Sequence, residues 1–195
     1  MAIKSGKAPF ITDDDLDLTL NSITGANAYR NRAILLFSHF MGLRAKELAA
    51  LKIGDVIDKN GKIKETIRLF SAYTKGGVYR EVFLVDPSVQ EHLMTYIQRE
   101  RSANAQECPL FLSQKGGAFS ANTMQRMIGN IYKKAGINAS SHSGRRTFAT
   151  RLIRNNVDIY SVQQLMGHSS IQTTQEYFAS DPNLLKDAVS RLTRK

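Results

Sequence analysis

Between Asp55 and Val85 the hydrophobic period of this chain switches from that of a helix to that of a strand, and at Pro87 it switches back. The stretch DVIDKNGKIKETIRLF carries an Asn60-Gly61 pair, which suits the positive-φ positions of a tight hairpin, and YREVFLV from Tyr79 to Val85 is rich in residues that fit a pleated surface. A small antiparallel sheet of about three strands is predicted, with SAYTKGG, which holds Lys75, joining the second strand to the third. Both flanks read as helix. Thr12 before Asp13, Asp14 and Asp15 is a capped start with acids where the helix dipole favours them. Ala28 to Met41 carries Ile34, Leu35, Phe37 and Phe40 and stops at Gly42, and a short helix from Arg44 to Leu51 follows. Pro87 opens another helix to about Arg101, PLFLS is a short extended piece, and further helices are predicted near 120–135, 144–155, 158–166, 170–178 and 183–193. The fold class is therefore α+β, mainly α, with one three-stranded antiparallel sheet.

A length of 195 residues with 42% hydrophobic content suits one domain with a substantial core. No apolar run of about 18 residues exists, and MAIKSGKAPF lacks the apolar stretch of a signal peptide, so a soluble intracellular protein is expected. Cys108 is the single cysteine, which excludes an intramolecular disulfide. The four histidines are scattered and no carboxylate cluster is evident, so neither a metal nor a cofactor is expected.

Charge is more informative. The net charge is +10, and from Cys108 to Val157 there is no Asp or Glu, whereas Lys115, Arg126, Lys133, Lys134, Arg145, Arg146, Arg151 and Arg154 fall there. Such a stretch binds a polyanion or is an unusually solvated surface, and Lys115, Arg126, Lys133, Lys134 and Arg146 are its candidate DNA contacts.

Four local features concentrate chemistry, and each has an ordinary structural explanation when taken alone. Arg44 and Glu47 in GLRAKEL are three apart on one helix face, where the carboxylate orients the guanidinium or merely forms a surface ion pair. Lys75 sits in a glycine-flanked turn, as solvated lysines also do. His142 and Arg145 in SHSGRRTFATRL are three apart at a helix start, whose N–H groups also favour an anion. His168 in MGHSS lies at a helix boundary, and Tyr177 follows nine residues later on a helix whose apolar stripe is supplied by Ile171 and Phe178. Tyr177 is thus predicted to lie off the packing stripe. Taken together, two arginines, two histidines, a lysine and a tyrosine suit attack on a phosphodiester, where cations aimed at the non-bridging oxygens stabilise the transition state without a metal.

In this order and approximate spacing, G-L-R-x-x-E-L, T-K-G-G followed by R-x-V-x-L, H-x-x-R-x-x-F-A-T and G-H-S-S-I-x-T-T-x-x-Y resemble the motifs of tyrosine recombinases, also called lambda-type integrases. The resemblance runs from about Ala28 to Tyr177. It implies that Arg44 and Arg145 clamp the scissile phosphate, that His142 and His168 add hydrogen bonds, and that Tyr177 attacks to form a 3′-phosphotyrosyl bond. Lys75 would protonate the leaving 5′ oxygen, and Glu47 would orient Arg44 or the neighbouring histidine.

The same resemblance implies double-stranded DNA as partner, in a prokaryotic or phage-encoded protein of the cytoplasm. Assembly into a tetramer on DNA would proceed through the terminal segment 179–195, with accessory DNA-bending proteins taking part. Residues 1–195 are expected to form a single catalytic domain with its core at 11–178. Only about 27 residues precede the first catalytic-type helix, too few for the amino-terminal core-binding domain of most members, so a fragment or a short recombinase of the fimbrial-invertase kind is implied. A catalytically silent DNA-binding protein and a type IB topoisomerase-like nicking and resealing enzyme are the alternatives. Two positions depart from the pattern: Gly144 stands where leucine is usual, and Arg146 where histidine is frequent.

Overall fold

The computed structural model describes residues 8–70, 79–101 and 105–178, together with 186, 189 and 190. Its elements are α1 (Asp13–Ser22), α2 (Ala28–Phe40), α3 (Ala45–Ala50), α4 (Ile53–Val56), β1 (Thr66–Leu69), β2 (Arg80–Phe83), α5 (Pro87–Glu100), α6 (Ala121–Lys134), α7 (Ser143–Arg154), α8 (Ile159–Met166) and α9 (Ile171–Phe178). The predicted turn containing Lys75 and most of the predicted helix 183–193 lie outside the described residues. Among the described residues no helix is long and apolar enough to cross a membrane.

Helix starts follow local chemistry. Thr12 Oγ1 accepts from the Asp15 N–H at 3.1 Å, Asp86 Oδ1 accepts from the Val89 N–H at 3.0 Å ahead of Pro87, and Ser120 and Thr123 cap α6 reciprocally. Helix α2 is the central strut: Ala33, Ile34, Leu35, Leu36 and Phe37 are all buried, and α3, α5, α6 and α7 pack around it. It ends before Gly42, whose φ of +60° takes the left-handed conformation and whose Cα lies against the Phe148 ring.

Among the described residues the sheet has two strands rather than three. β1 and β2 pair antiparallel with Thr66 opposite Phe83 and Leu69 opposite Arg80. The segment read as a first strand instead forms α4 and then a turn. The Asp55 carboxylate accepts from the Lys52 N–H at 2.7 Å and wraps Ile53–Val56 into one helical turn. Asp58 Oδ1 then accepts from the N–H groups of Asn60 and Lys62 at 2.8 and 2.9 Å. Side-chain oxygens thereby take backbone donors that a ladder would have used, and one bridge, Ile57 to Ile63, remains across the Asn60-Gly61 turn.

The core divides in two. The larger cluster fills the space among α1 to α6 and the sheet, and a small second one comprises Ala149, Ile153, Val162 and Met166, with Phe148, Leu152, Val157, Tyr177 and Phe178 packed on it. That second cluster belongs to α7, α8 and α9. Helix α7 lies so close to α2 that a Cβ on Gly144 would run into the Ser38 side chain and come within 2.9 Å of His39 Cδ2. This explains the departure at Gly144: leucine has no room there.

Candidate active site

The last carbonyls of a helix have no partner within the helix and carry the negative end of its dipole. At the end of α8 three consecutive carbonyls are each taken by a different arginine. Arg80 Nη1 donates to the Leu165 carbonyl, Arg145 Nη2 to that of Met166, and Arg44 Nη2 to that of Gly167 at 3.0 Å. Arg145 Nη1 donates at 2.5 Å to the Gly42 carbonyl, tying α8 to the end of α2. Gly167 is required twice over: its φ is +57°, and the space of a Cβ is filled by the Arg80 side chain.

Glu47, with no exposed surface, lies between two of these cations. Its Oε1 accepts from Arg44 Nη1 at 2.9 Å, and its Oε2 from Arg80 Nη2 and from the Arg44 backbone N–H, both at 2.7 Å. Burial alone would push this carboxyl up, but the charge and hydrogen bond of Arg80, the Arg44 N–H and the charge of Arg145 hold it below the usual carboxylate range. Arg145 is pulled down to about 9, by burial first and then by the charges of Arg44 and Arg80, and it remains a cation at neutral pH. Three guanidinium groups around one carboxylate leave the locus positive.

His168 follows Gly167 directly. Its backbone N–H donates to the Gln163 carbonyl and its carbonyl accepts from Gln163 Nε2, both at 3.1 Å. Its Nδ1 lies 2.9 Å from Thr174 Oγ1, and its ring stacks on that of Tyr177 with centroids 5.9 Å apart and planes 7° from parallel. Burial, followed by the charges of Arg145, Arg44 and Arg80, brings the imidazole down to about 3. It is therefore neutral at physiological pH.

Beyond Tyr177 opens a cleft of about 210 Å³ lined by Ala8, His142, Arg146, Thr173, Glu176 and Tyr177. His142 is exposed at the N-cap of α7, three residues before the buried Arg145.

The structure thus gathers Arg44, Glu47, Arg145, His168 and Tyr177 around the α8 terminus, with His142 and Arg146 on the open side of Tyr177. Lys115, Arg126, Lys133 and Lys134 are exposed and do not line that cleft, and Lys75 lies outside the described residues. Tyr177 is not clear of the packing stripe as predicted, because its ring rests on the second core cluster and the fully buried position of α9 is Thr174. Two residues of the site escaped sequence reasoning. Arg80 carried a signal, a basic residue sharing the inward face of a strand with Val82. Thr174 carried none beyond its spacing from Tyr177. Among the described residues no group of three His, Cys, Asp or Glu side chains converges on a point.

Comparison with known proteins agrees with this geometry. The profile of the Phage integrase family matches residues 9–183. The Tyrosine recombinase XerC of Lactobacillus delbrueckii subsp. bulgaricus is 31% identical over 176 residues, covering 86% of this chain and 57% of the relative. The Tyrosine recombinase XerD of Staphylococcus epidermidis is 36% identical over 166 residues, covering 83% and 52%. The chain spans about half the length of the curated relatives it matches. Among solved structures, the crystal structure of XerA recombinase superposes with a TM-score of 0.76 at 27% identity, covering 100% of this chain and 67% of that one. A post-cleavage complex of the XerH site-specific recombinase with its palindromic difH substrate gives 0.70 at 30% identity, covering 94% and 53%.

Proposed function

We propose that this chain, which belongs to the Phage integrase family, carries the catalytic domain of a site-specific recombinase that breaks and rejoins double-stranded DNA through a 3′-phosphotyrosyl bond at Tyr177. The observation that carries this reading is the convergence of Arg44, Arg145 and His168 at the end of α8, with Tyr177 stacked on the imidazole. Each terminal nitrogen of Arg44 and Arg145 uses one N–H on a protein oxygen, so the two forks are fixed in direction while further N–H donors remain for the non-bridging oxygens of a phosphate. A neutral His168 adds a hydrogen bond without adding charge, and His142 approaches from the rim of the cleft.

In the forward step the Tyr177 oxygen bonds to phosphorus, the phenolic proton passes to solvent water, and the bond from phosphorus to the 5′ oxygen breaks. The leaving oxygen takes a proton from Lys75, a general-acid contribution of roughly 10²–10⁴-fold in rate. Positive charge around the phosphate stabilises the negative charge that builds in the transition state. The phosphotyrosyl bond retains the energy of the broken linkage, so attack by a 5′ hydroxyl reseals the strand without an external energy source. Lys115, Arg126, Lys133, Lys134 and Arg146 serve as phosphate contacts that hold the duplex in register and carry no base information. Assembly as a tetramer on DNA through segment 179–195, help from DNA-bending accessory proteins and action in the cytoplasm complete the reading. XerH bound to difH supplies a parallel for a DNA partner.

The test uses nicked duplexes carrying sites recovered by binding selection, on which cleavage traps the enzyme. A covalent adduct that survives denaturation is expected, and exchange of strands between two duplexes separates a recombinase from an enzyme that only nicks and reseals. Binding without any adduct would make the chain a silent DNA-binding protein.

A further inference from the structure

Helix α9 has one fully buried position, and it is occupied by a hydroxyl residue, Thr174, within the polar run QTTQEY. A buried hydroxyl needs an acceptor for its proton. Among the described residues Thr174 Oγ1 has one hydrogen-bond partner, His168 Nδ1, at 2.9 Å. If Nδ1 carried the imidazole proton, the threonine proton would point into the protein with nothing to accept it. If the hydroxyl donates, both groups are satisfied and the imidazole proton resides on Nε2. Because the imidazole is held neutral by burial and by the surrounding arginines, one of its two nitrogens is bare, and the identity of that nitrogen decides whether the ring offers a donor or an acceptor beyond Thr174.

We propose that Thr174 is a positioning residue: its hydroxyl donates to His168 Nδ1, fixes the ring as the Nε2–H form able to donate to a phosphate oxygen, and makes that orientation depend on the docking of α9. This rests on the reading of His168 as a phosphate-binding group. Thr174 and Tyr177 are three apart on α9 and thus share a face, and they hold the same imidazole, one at its Nδ1 edge and the other on its flat side. His168 itself belongs to the turn after α8, whose backbone is fastened by Gln163. Undocking α9 therefore removes the nucleophile and releases the imidazole in one movement, so a displaced tyrosine leaves a site without its oriented donor.

The experiment compares wild type with Thr174→Val, which keeps the shape and removes the hydroxyl, and Thr174→Ser, which keeps the hydroxyl. Long-range proton–nitrogen NMR on histidine-labelled full chain, with His168→Asn identifying the resonance, reads the tautomer directly and needs no DNA. An Nε2–H ring is expected in wild type and in Thr174→Ser, and a mixture of tautomers in Thr174→Val. On the trapping substrates, Thr174→Val is expected to slow single-turnover cleavage by roughly tenfold or more, as loss of an orienting partner does for ligating histidines, with unchanged DNA affinity. Combining Thr174→Val with His168→Asn is expected to be no slower than His168→Asn alone. An Nδ1–H ring in wild type overturns the proposal even if no variant folds, and so does an unchanged tautomer in Thr174→Val. A hydroxyl-dependent tautomer in a protein that never forms an adduct would retain Thr174 as the orienting group and refute the enzymatic reading instead.

Discussion

Arg80 on β2 reaches Glu47 on α3 across 33 positions of sequence, its Nη2 lying 2.7 Å from Oε2 with both side chains buried. This ion pair joins the strand to the helix that Arg44 caps, and through the Leu165 carbonyl it joins both to the end of α8. Removing Arg80 takes the charged donor from the buried Oε2 while Oε1 stays paired with Arg44, a cost of about 1–3 kcal/mol. Arg80→Met is therefore expected to lower the melting temperature by roughly 2–12 °C for a domain of this size. Differential scanning calorimetry checks this, and a shift within 2 °C or so would mean that the pair contributes little.

Arg145 uses two terminal nitrogens on two carbonyls, those of Gly42 and Met166, while facing the site. A lysine has one nitrogen on a flexible stem and cannot reproduce that fork. Arg145→Lys is expected to bind DNA within a few-fold of wild type but to cleave roughly 10²-fold more slowly or worse, the order seen when one transition-state donor is removed. Single-turnover rates on trapping substrates give the answer.

Restoring the more usual residue at Gly144 is expected to harm this protein. Gly144→Leu must displace the Ser38 side chain and His39 at the contact of α7 with α2, and overpacking of this kind costs about 1–3 kcal/mol. Urea denaturation should show a lower midpoint with an unchanged slope. A stabilised variant would show that the two helices can separate freely.

Acid should destabilise the fold through two histidines. His39, buried with its Nε2 2.6 Å from the Tyr132 hydroxyl oxygen, is brought down to about 3 by burial and then by the charge of Arg151, and His168 is likewise down to about 3. Both are neutral in the folded chain, whereas the unfolded chain protonates them near their ordinary value of about 6.5. Their contribution to stability is complete above that pH and is lost as pH falls toward 3. Between pH 6 and 5, His39 alone should account for roughly 1 kcal/mol per pH unit. His39→Gln should flatten the pH dependence of unfolding free energy in that window by about this amount.

Most helix starts and the reactive motifs were legible because each depends on neighbours in sequence: Thr12 and Asp86 cap within three residues, and Arg44 and Glu47 lie on adjacent turns. The first strand was misread because Asp55 and Asp58 compete locally for backbone donors, which hydrophobic period does not register. Arg80 was present in the R-x-V-x-L motif, but its role depends on Glu47 and Leu165, which only the fold brings to it. Thr174 was hidden for a similar reason. Its burial follows from the packing of α9 on α7 and α8, and helical spacing from Ile171 and Phe178 pointed to a stripe that the fold shares with Tyr177.

The identity of the residue that becomes linked to DNA tests the account at its centre. Protein trapped on a nicked duplex would be digested with protease and nuclease and its modified peptide sequenced by mass spectrometry. A nucleotide remnant on Tyr177 is expected, together with no adduct and near-normal DNA binding for Tyr177→Phe. A remnant on any other side chain, or trapping that persists in Tyr177→Phe, would contradict the assignment.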